Sequence, residues 1–340
     1  MFAEGWKAAT PPADNHDWVQ TTSGEWLKGE IKGLYDDKLE FDSDEFNIQV
    51  IDLEDVQQLK SHSTTSLNVE GKGTLQGKLH INGDTVILVS DDGSSTTIQR
   101  SEIISLTNGA DVESSYWSGK IAIGLSKSSG NTDKSELNIK GNVKRQTSLT
   151  RLTGSYLGNY GKSDGDQTEN NHRLHANFDI FQTRKFFWRP VFTEYFRDPF
   201  QNIAQKYTYG VGAGYDIYSN AKKNWTVFAG PAIQTTKFVD VQTNENDHES
   251  TGAFIFSTNY DREITSNIDL VLGYQMYLVN KRSGTYVHHA LATIETELIH
   301  DFDLDFTFIW DRVQNPTADD QGNTPKQNDY KTIFSLGYSF

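Results

Sequence analysis

The sequence predicts an all-β protein in which an antiparallel transmembrane β-barrel of about 12 strands follows a small soluble β domain. Three observations support this fold class. Polar and apolar residues alternate along many segments after Tyr116, long polar connections alternate with short ones, and the N-terminal third contains an internal repeat. We expect an extended N-terminal segment over residues 1–21, a β domain over residues 22–112 and the barrel over residues 113–340.

Composition limits the classes of function. The chain has 340 residues, 46 of them acidic and 31 basic, a net charge of -15 and no cysteine. An acidic protein is a poor partner for nucleic acid, which binds basic surfaces. No stretch reaches the roughly 18 apolar residues of a membrane helix. The first residues lack the basic and apolar regions of a signal peptide, and we expect a mature chain with an added Met1.

The N-terminal repeat comes first along the chain. Residues 25–60 and 73–107 align, with LKGEI at residues 27–31 matching LQGKL at residues 75–79. Each copy predicts three or more short strands around an acidic turn and a small closing strand. The pattern is similar to SH3-like or Sm-like barrels. Copies of this length are marginal alone, so we expect them to pack together.

The stretch DFDLDFTFIWDR, residues 301–312, is typical of the segments after Tyr116. Its even positions from 302 to 310 are apolar, whereas its odd positions include four aspartates and a threonine. A strand directs alternate side chains to opposite faces, so one face is apolar and the other anionic. Segments such as YTYGVGAGYDIY and YKTIFSLGYSF repeat the alternation.

A soluble β-sandwich alternates in the same way, with the apolar face inside. Two features favour the membrane barrel. Tyrosine and tryptophan lie near segment ends, as in the aromatic girdles of lipid interfaces. Gly210, Gly212 and Gly214 occupy alternate positions on the polar face of their strand, which we call the polar parity. Glycines in a strand mark places where other groups approach the backbone closely, which suits a crowded barrel interior. In a barrel the apolar parity faces lipid, the polar parity faces the lumen, and the long connections lie outside the cell.

Several stretches resemble the bacterial salt-induced outer membrane proteins, a family of unknown function. They are WSGKIAIGLSKSSGNTDKSELNIKGNVKRQ, YGKSDGDQTENNHRLHANFDIF, YFRDPFQNI and YTYGVGAGYDIY, with SGNTD at residues 129–133 and RDPFQN at residues 197–202 the most specific. The resemblance covers about residues 113–340 and implies an outer-membrane barrel. It implies no catalytic residues. The C-terminal strand is similar to the signal read by the barrel assembly machinery, carried here by Leu336, Tyr338 and Phe340.

The charged residues expected to face the lumen fall into two groups, one on the early strands and one on the late strands. The early strands predict a basic wall, and the late strands predict an acidic wall. The free-energy cost of burying so many unpaired charges would be prohibitive. The charges of the interior therefore either form ion pairs or are hydrated by water. Two alternatives stay open, a filled structural barrel and a narrow or gated channel for small polar solutes. The basic wall comprises Lys120, Lys140, Lys144, Arg151 and Arg173, and the acidic wall comprises Asp261, Asp269, Glu295, Glu297, Asp303, Asp305 and Asp311.

A lipid hydrolase is the third class considered. His288 and His289 lie together, but no serine occupies the same parity two residues away. The sequence therefore predicts no enzyme, no metal and no cofactor.

The expected location is the outer membrane of a Gram-negative cell, with the N-terminal domain in the periplasm. Expected partners are outer-membrane lipid and lipopolysaccharide, the barrel assembly machinery, and a periplasmic protein or the cell wall. A barrel can conduct solutes without an additional domain, so we expect the N-terminal domain to bind a partner. The alternative function is therefore a structural or scaffold subunit of a cell-envelope complex.

Overall fold

The structure is a computed structural model. It describes residues 15–35, 37–108, 116–128, 133–147, 149–183, 185–220, 223–265, 267–299 and 302–339. These residues form two bodies built from strands, an N-terminal ring and a larger barrel. No helix among them is long and apolar enough to cross a membrane.

The N-terminal ring closes through six strands in the order β1, β5, β7, β6, β10 and β2, with β2 pairing back to β1. Hairpin strands β3 and β4 extend from β2, and β8 and β9 extend from β7. The strands are β1 (Asp17–Thr21), β2 (Trp26–Tyr35), β3 (Lys38–Ser43), β4 (Asn47–Asp52), β5 (Val56–Lys60), β6 (Thr65–Val69), β7 (Gly73–Asn82), β8 (Thr85–Val89), β9 (Ser95–Gln99) and β10 (Ile103–Asn108).

The internal repeat is visible in the pairings. Strands β1 to β5 correspond to β6 to β10, and each pairing of the first copy recurs in the second. Because β5 pairs with β7 and β10 pairs with β2, neither copy closes alone. Leu59 and its counterpart Leu106 are both fully buried in the shared core. The two copies therefore fold as one unit.

Strands β1 and β6 were not expected from the sequence. Residues 17–21 belong to the segment expected as an extended lead-in, yet they pair with both β2 and β5. Each strand has only five residues, which is too few to show a clear alternation. Neighbouring strands supply the pairing that fixes them.

The barrel closes through twelve antiparallel strands, β11 to β22, with β22 pairing with β11. The predicted strand number is confirmed. The strands are β11 (Trp117–Ser128), β12 (Lys134–Gln146), β13 (Thr150–Ser163), β14 (Asp166–Phe181), β15 (Phe186–Asp198), β16 (Ile203–Asn220), β17 (Lys223–Phe238), β18 (His248–Thr265), β19 (Ile268–Leu278), β20 (Tyr286–Ile299), β21 (Phe302–Val313) and β22 (Asn328–Ser339).

Connections differ between the two ends of the barrel. At one end, here the short-turn end, all five connections are short, as at residues 221–222. At the other, the long-loop end, the connections include residues 239–247 and 314–327. The polar stretch of residues 161–171, which reads in the sequence as a long connection, is an exception, because Asp164 and Gly165 both adopt positive φ in a tight hairpin turn. Asp-Gly is a favoured pair for that turn, and it lets β13 and β14 continue as paired strands.

Apolar side chains face outward around the barrel. The outward positions of β21 and β22, among them Phe306 and Phe334, are exposed, whereas Asp305 and Thr307 between them are buried. Polar groups also face inward on β12 to β14, among them Asn138, Asn159 and Arg173, whereas β15 to β20 direct apolar side chains inward as well. The outward face is therefore the surface that hydrocarbon covers in a membrane barrel.

The glycine row of β16 faces inward and makes room for aromatic rings. A Cβ atom at Gly212 would lie 2.8 Å from a ring carbon of Phe228, and one at Gly214 would lie 2.1 Å from Phe187. The rings of Phe192 and Phe228 stack with centroids 6.0 Å apart. Together with Tyr277, they fill the part of the lumen beside β15 to β20.

The N-terminal ring lies against the short-turn end of the barrel. The Tyr35 hydroxyl donates a hydrogen bond to the carbonyl oxygen of Gln146, at 3.2 Å. Ile104 packs with Phe181 and Phe187 in a buried apolar cluster. Tyr35 and Ile104 belong to the ring, and the other three residues lie at the short-turn ends of β12, β14 and β15.

We expect Gly214→Ala to destabilise the barrel by about 1–3 kcal/mol, the usual cost of overpacking. The added methyl group would displace the Phe187 ring. Unfolding by guanidinium in detergent micelles, followed by tryptophan fluorescence, measures the change. Gly252→Ala is the matched control, because a Cβ at Gly252 has no atom within 4 Å. Equal stability of the two variants would contradict this packing.

Candidate functional site in the barrel interior

Three groups of buried ion pairs occupy the polar part of the lumen. We call them the central cluster, around Arg173, the lower cluster, around Lys120, and the side cluster, around Asp179. The central cluster lies nearest the long-loop end. The lower cluster lies near the short-turn end, on the strands that meet at the seam between β11 and β22. The side cluster lies beside the apolar filling.

The central cluster is organised by Arg173 on β14. One guanidinium nitrogen donates to Glu194 at 3.0 Å, and another donates to Asp311 at 2.9 Å. His175 lies 3.2 Å from the same Glu194 oxygen, and His289 lies 2.8 Å from Asp311. Asp311 is on β21, nearly opposite β14 in the ring of strands. The cluster therefore ties the two sides of the barrel together across the lumen.

The lower cluster is organised by Lys120 on β11. Its ammonium group lies 2.8 Å from Glu295, 3.0 Å from Asp303 and 2.9 Å from Asp305. Lys140 on β12 approaches Glu295 at 3.6 Å from the opposite direction. Three carboxylates thus share two ammonium groups, and they do so close to the mouth at the short-turn end.

The side cluster is a shared carboxylate. Asp179 accepts hydrogen bonds from Arg151 at 3.0 Å and from Arg189 at 2.6 Å. The Arg151 guanidinium also lies over the Phe181 and Phe187 rings. Buried charges are tolerated when they are paired and hydrogen-bonded, and this cluster satisfies both conditions.

Three cavities follow one another from the long-loop end to the short-turn mouth, and charged side chains contribute to the lining of each. The outer cavity, of about 600 Å³, is lined by residues of the long-loop end and reaches down to Arg173 and Asp311. The inner cavity, of about 250 Å³, lies below it and is also lined by Arg173, together with Lys140 and Arg189. Arg173 therefore separates the outer cavity from the inner cavity.

The lower cavity, of about 820 Å³, lies between the ring and the barrel mouth. Thr21, Lys38 and Asp52 of the ring line one side, and Asp261 and Glu295 of the barrel line the other. Lys140 lines the inner cavity and Glu295 lines the lower cavity. Their contact, at 3.6 Å, therefore lies between these two spaces.

The predicted wall residues lie where the parity places them, on the lumen side or at its mouth. Arg173 contacts Asp311, and Lys120 contacts Glu295, Asp303 and Asp305. Of the other predicted wall residues, Arg151 pairs with a carboxylate that was not predicted, and the rest lie at the short-turn mouth. Arg151 pairs with Asp179; Lys144 is half-buried near the mouth; Asp261 and Asp269 line the lower cavity; Glu297 is exposed opposite Asp303.

Among the described residues of the barrel, sequence reasoning missed six buried charged ones, which include Asp198 and Asp216 as well as the four discussed here. Glu194 and Arg189 lie on β15, where the register shifts between Arg189 and Phe192. Proline lacks a backbone N–H, and Pro190 within the strand was the available signal of a bulge that changes the parity. Asp179 and Lys206 already had the lumen parity, but were not assigned to a wall. The basic wall therefore also holds a carboxylate, because Asp179 lies on β14 together with Arg173.

The two adjacent histidines point to opposite faces. His288 faces outward, where its Nδ1 atom lies 2.8 Å from the Tyr274 hydroxyl and its ring stacks on Trp310. His289 faces the lumen and contacts Asp311. Each histidine thus has a structural contact of its own. Among the described residues, no group of three or more acidic, histidine or cysteine side chains has the arrangement of a metal site.

The C-terminal part of β22, near the short-turn end of the barrel, carries two residues of the predicted assembly signal. Leu336 and Tyr338 are exposed on the lipid-facing side. Phe340 lies outside the described residues, as do residues 129–132 of the SGNTD sequence.

Residues 121–340 match a family described as "Protein of unknown function, DUF481". The chain belongs to this family. The matched region contains almost the whole barrel, and the resemblance found in the sequence agrees with it. No curated protein matches the chain.

Solved structures give matches to outer-membrane proteins at low identity. The NanC porin is 12% identical, covering 65% of this chain and 98% of the porin, with a TM-score of 0.39. The translocator domain of the autotransporter NalP from Neisseria meningitidis is 10% identical, covering 65% and 86%, with a TM-score of 0.35. The outer membrane channel DcaP of Acinetobacter baumannii is 13% identical, covering 96% and 94%, with a TM-score of 0.30.

The geometry of the DUF481 chain itself identifies an outer-membrane barrel. Its strands close without an edge, its outer face is apolar and its interior is polar. These are the conditions that a bilayer imposes on spanning strands.

We expect Arg173→Met to lower the unfolding free energy by about 3–5 kcal/mol, because it leaves Glu194 and Asp311 buried without their shared cation. Guanidinium unfolding in micelles measures it. Lys281→Met, at an exposed position of the long-loop end, is expected to change stability by less than about 0.5 kcal/mol. A similarly small change for Arg173→Met would show that the central cluster contributes little to the fold.

Proposed function

We propose that this DUF481 protein is a narrow, gated outer-membrane channel for small polar solutes, with no catalytic role. The N-terminal ring would lie in the periplasm and cover the inner mouth. The single observation that carries the proposal is the series of three cavities, two within the lumen and one at its inner mouth, with ion-paired side chains at the boundaries between them.

Narrowness follows from the apolar filling. Phe192, Phe228, Ile255 and Tyr277 occupy the lumen beside β15 to β20. Polar space is left on the remaining strands, where Asn142, Ser155 and Asn177 line the inner cavity. A path of this kind accommodates a small solute that forms hydrogen bonds, whereas a large or apolar solute would not fit the lining.

Gating follows from the central cluster. Arg173 bridges Glu194 and Asp311 across the path, and its side chain forms part of both the outer and inner cavities. An arginine held by two carboxylates closes a polar path without apolar packing. Water entering the path can hydrate the separated charges, so opening requires side-chain motion rather than repacking of a core.

The short-turn mouth provides the second closure. The ring faces the barrel across the lower cavity, and solute leaving the inner cavity would pass Lys140 and Glu295 before reaching it. Ile104, packed on Phe181 and Phe187, holds the ring at this position. Displacement of the ring would widen the exit from the lower cavity.

Conductance in planar bilayers tests the channel. We expect the wild-type chain to show small, infrequent opening steps and Arg173→Ala to open more often and more widely. Arg173→Lys, which keeps the charge but lacks the forked guanidinium, is expected to be intermediate. Lys281→Ala is the control and should match the wild type.

Correct folding of each variant is established first by circular dichroism and by its mobility on unheated gels. A folded Arg173→Ala variant that stays silent would contradict the gate. If the wild type and every folded variant were silent, the filled barrel would be the better description.

We expect Ile104→Asp to raise conductance, because an unpaired carboxylate in the apolar cluster weakens the contact between the ring and the barrel. Val89→Asp, a substitution at an exposed position of the same ring, is the control and should leave conductance unchanged. Bilayer recordings of the two full-length variants provide the comparison. Identical conductance would show that the ring does not restrict the mouth.

A scaffold subunit of a cell-envelope complex is the second candidate function. One observation favours it, the exposed apolar residues of β4 in the N-terminal ring. Lipopolysaccharide, the barrel assembly machinery and the cell wall stay predictions as partners. Pull-down with the full-length chain in detergent tests the scaffold role, and a stable partner that is lost without the ring would support it.

A further inference from the structure

Strand β4 of the N-terminal ring exposes a row of apolar side chains. Phe46 is 62% exposed, Ile48 59% and Val50 55%. The strand pairs with β3 on one side, and no described strand pairs with its other edge. That edge can therefore pair with another chain. The Gln49 side chain, whose Nε2 atom donates to the carbonyl oxygens of Phe46 at 2.6 Å and Ile48 at 3.3 Å, would have to give up any of these bonds that lie on the same edge.

The second repeat shows that the fold does not require apolar residues here. Val50 lies opposite Glu40 on β3, and the equivalent Thr97 lies opposite Ile87 on β8. By the same register, Ile48 corresponds to Ser95. The two hairpins have the same topology and an equivalent open edge, but only β4 carries apolar residues at the edge itself; in the second hairpin the apolar residues of that face, Ile87 and Val89, lie on the inner strand β8.

Acidic residues surround the apolar row. Asp42 lies directly opposite Ile48, and Glu40 lies opposite Val50, on the same face of the hairpin. Asp44 and Glu45 precede the strand, and Asp52 ends it. Lysines offset part of this charge, because Lys32 pairs with Asp42 at 3.1 Å, Lys28 pairs with Asp44 at 2.9 Å and Lys38 lies opposite Asp52. Carboxylates remain in excess around the row, so a partner that covers this face must tolerate or complement negative charge.

This charge pattern disfavours a second copy of the chain. Antiparallel pairing of two β4 strands about Ile48 would place Asp44 of one copy opposite Asp52 of the other, twice per dimer. Like charges directly opposite each other destabilise a strand pair. A lipid surface is also disfavoured, because inserting Ile48 and Val50 would bring Asp42 and Glu40 into the hydrocarbon boundary.

We propose that β4 is a docking edge for an extended segment of a partner protein. That segment would add as a strand beside β4, with apolar residues at alternate positions and lysine or arginine at its ends. Main-chain hydrogen bonds supply affinity in this binding mode, and the side chains on the shared face supply specificity. Val50 and Asp52 also line the lower cavity, so a segment bound beside β4 would lie at the edge of the proposed solute exit. Its binding can be measured whether or not the barrel conducts.

Binding of a defined probe tests the proposal. The probe is a fluorescein-labelled peptide, KKVTVSVKK, and the control peptide is EEVTVSVEE. Fluorescence anisotropy is measured with the full-length chain in nanodiscs. We expect the basic peptide to bind and the acidic peptide to bind at least about tenfold more weakly, because only the first complements the acidic rim.

The stripe variant carries Ile48→Ser and Val50→Thr, which copy the residues of the second repeat and so are compatible with the fold. We expect it to bind the basic peptide about tenfold more weakly, since two apolar cross-strand contacts are lost. The matched control carries Ser95→Thr and Thr97→Ser on β9 and should bind as the wild type does. Equal binding by all three proteins would overturn the proposal.

Two further measurements test whether a lipid membrane or a second copy of the chain covers the row instead. The chain has no cysteine, so Ile48→Cys accepts a single environment-sensitive dye. Quenching of that dye by doxyl-labelled lipid in nanodiscs would assign the row to the membrane and overturn the proposal. A wild-type dimer in sedimentation velocity that is lost in the stripe variant would assign it to a second copy, with the same consequence. We expect neither quenching nor a stripe-dependent dimer.

Discussion

A strand that meets hydrocarbon has to satisfy its backbone N–H and C=O groups within the protein, because lipid offers no hydrogen-bond partner. In this chain the ladder from β11 to β22 returns to β11, so every spanning strand is paired on both sides. Closure then divides the side chains by parity, apolar ones outward and polar ones inward. The grouping of charges inside the barrel and the cavities beside them follow from that division.

Closure also explains why the interior charges occur in groups. Polar side chains of opposite strands face each other across a lumen that is partly filled by aromatic rings. Arg173 reaches Glu194 and Asp311, Lys120 reaches three carboxylates, and Asp179 is shared by two arginines. Each cation is placed where a buried carboxylate would otherwise be unpaired, which is the condition for burying charge. The same pairs lie between cavities, so stability and restriction of the path come from the same residues.

Much of this fold could be predicted from alternation, because parity is a local property of a strand. It indicated the strand number, the apolar outer face and the inward glycines of β16. It failed at Pro190, where a bulge changes the parity and brings Phe192 and Glu194 inward. It also failed for β1, whose five residues are fixed by neighbouring strands. Which charges pair across the lumen depends on strands distant in sequence, and local patterns carry no such information.

The measurement that tests the central claim most directly is a spin-label scan of β21 in liposomes. Single cysteines replace residues 304 to 308, since the chain has none of its own. Accessibility to oxygen, which concentrates in lipid, is compared with accessibility to a polar nickel complex. We expect high oxygen accessibility at positions 304, 306 and 308 and low accessibility at positions 305 and 307. Uniform accessibility, or the opposite alternation, would show that hydrocarbon does not cover the apolar face.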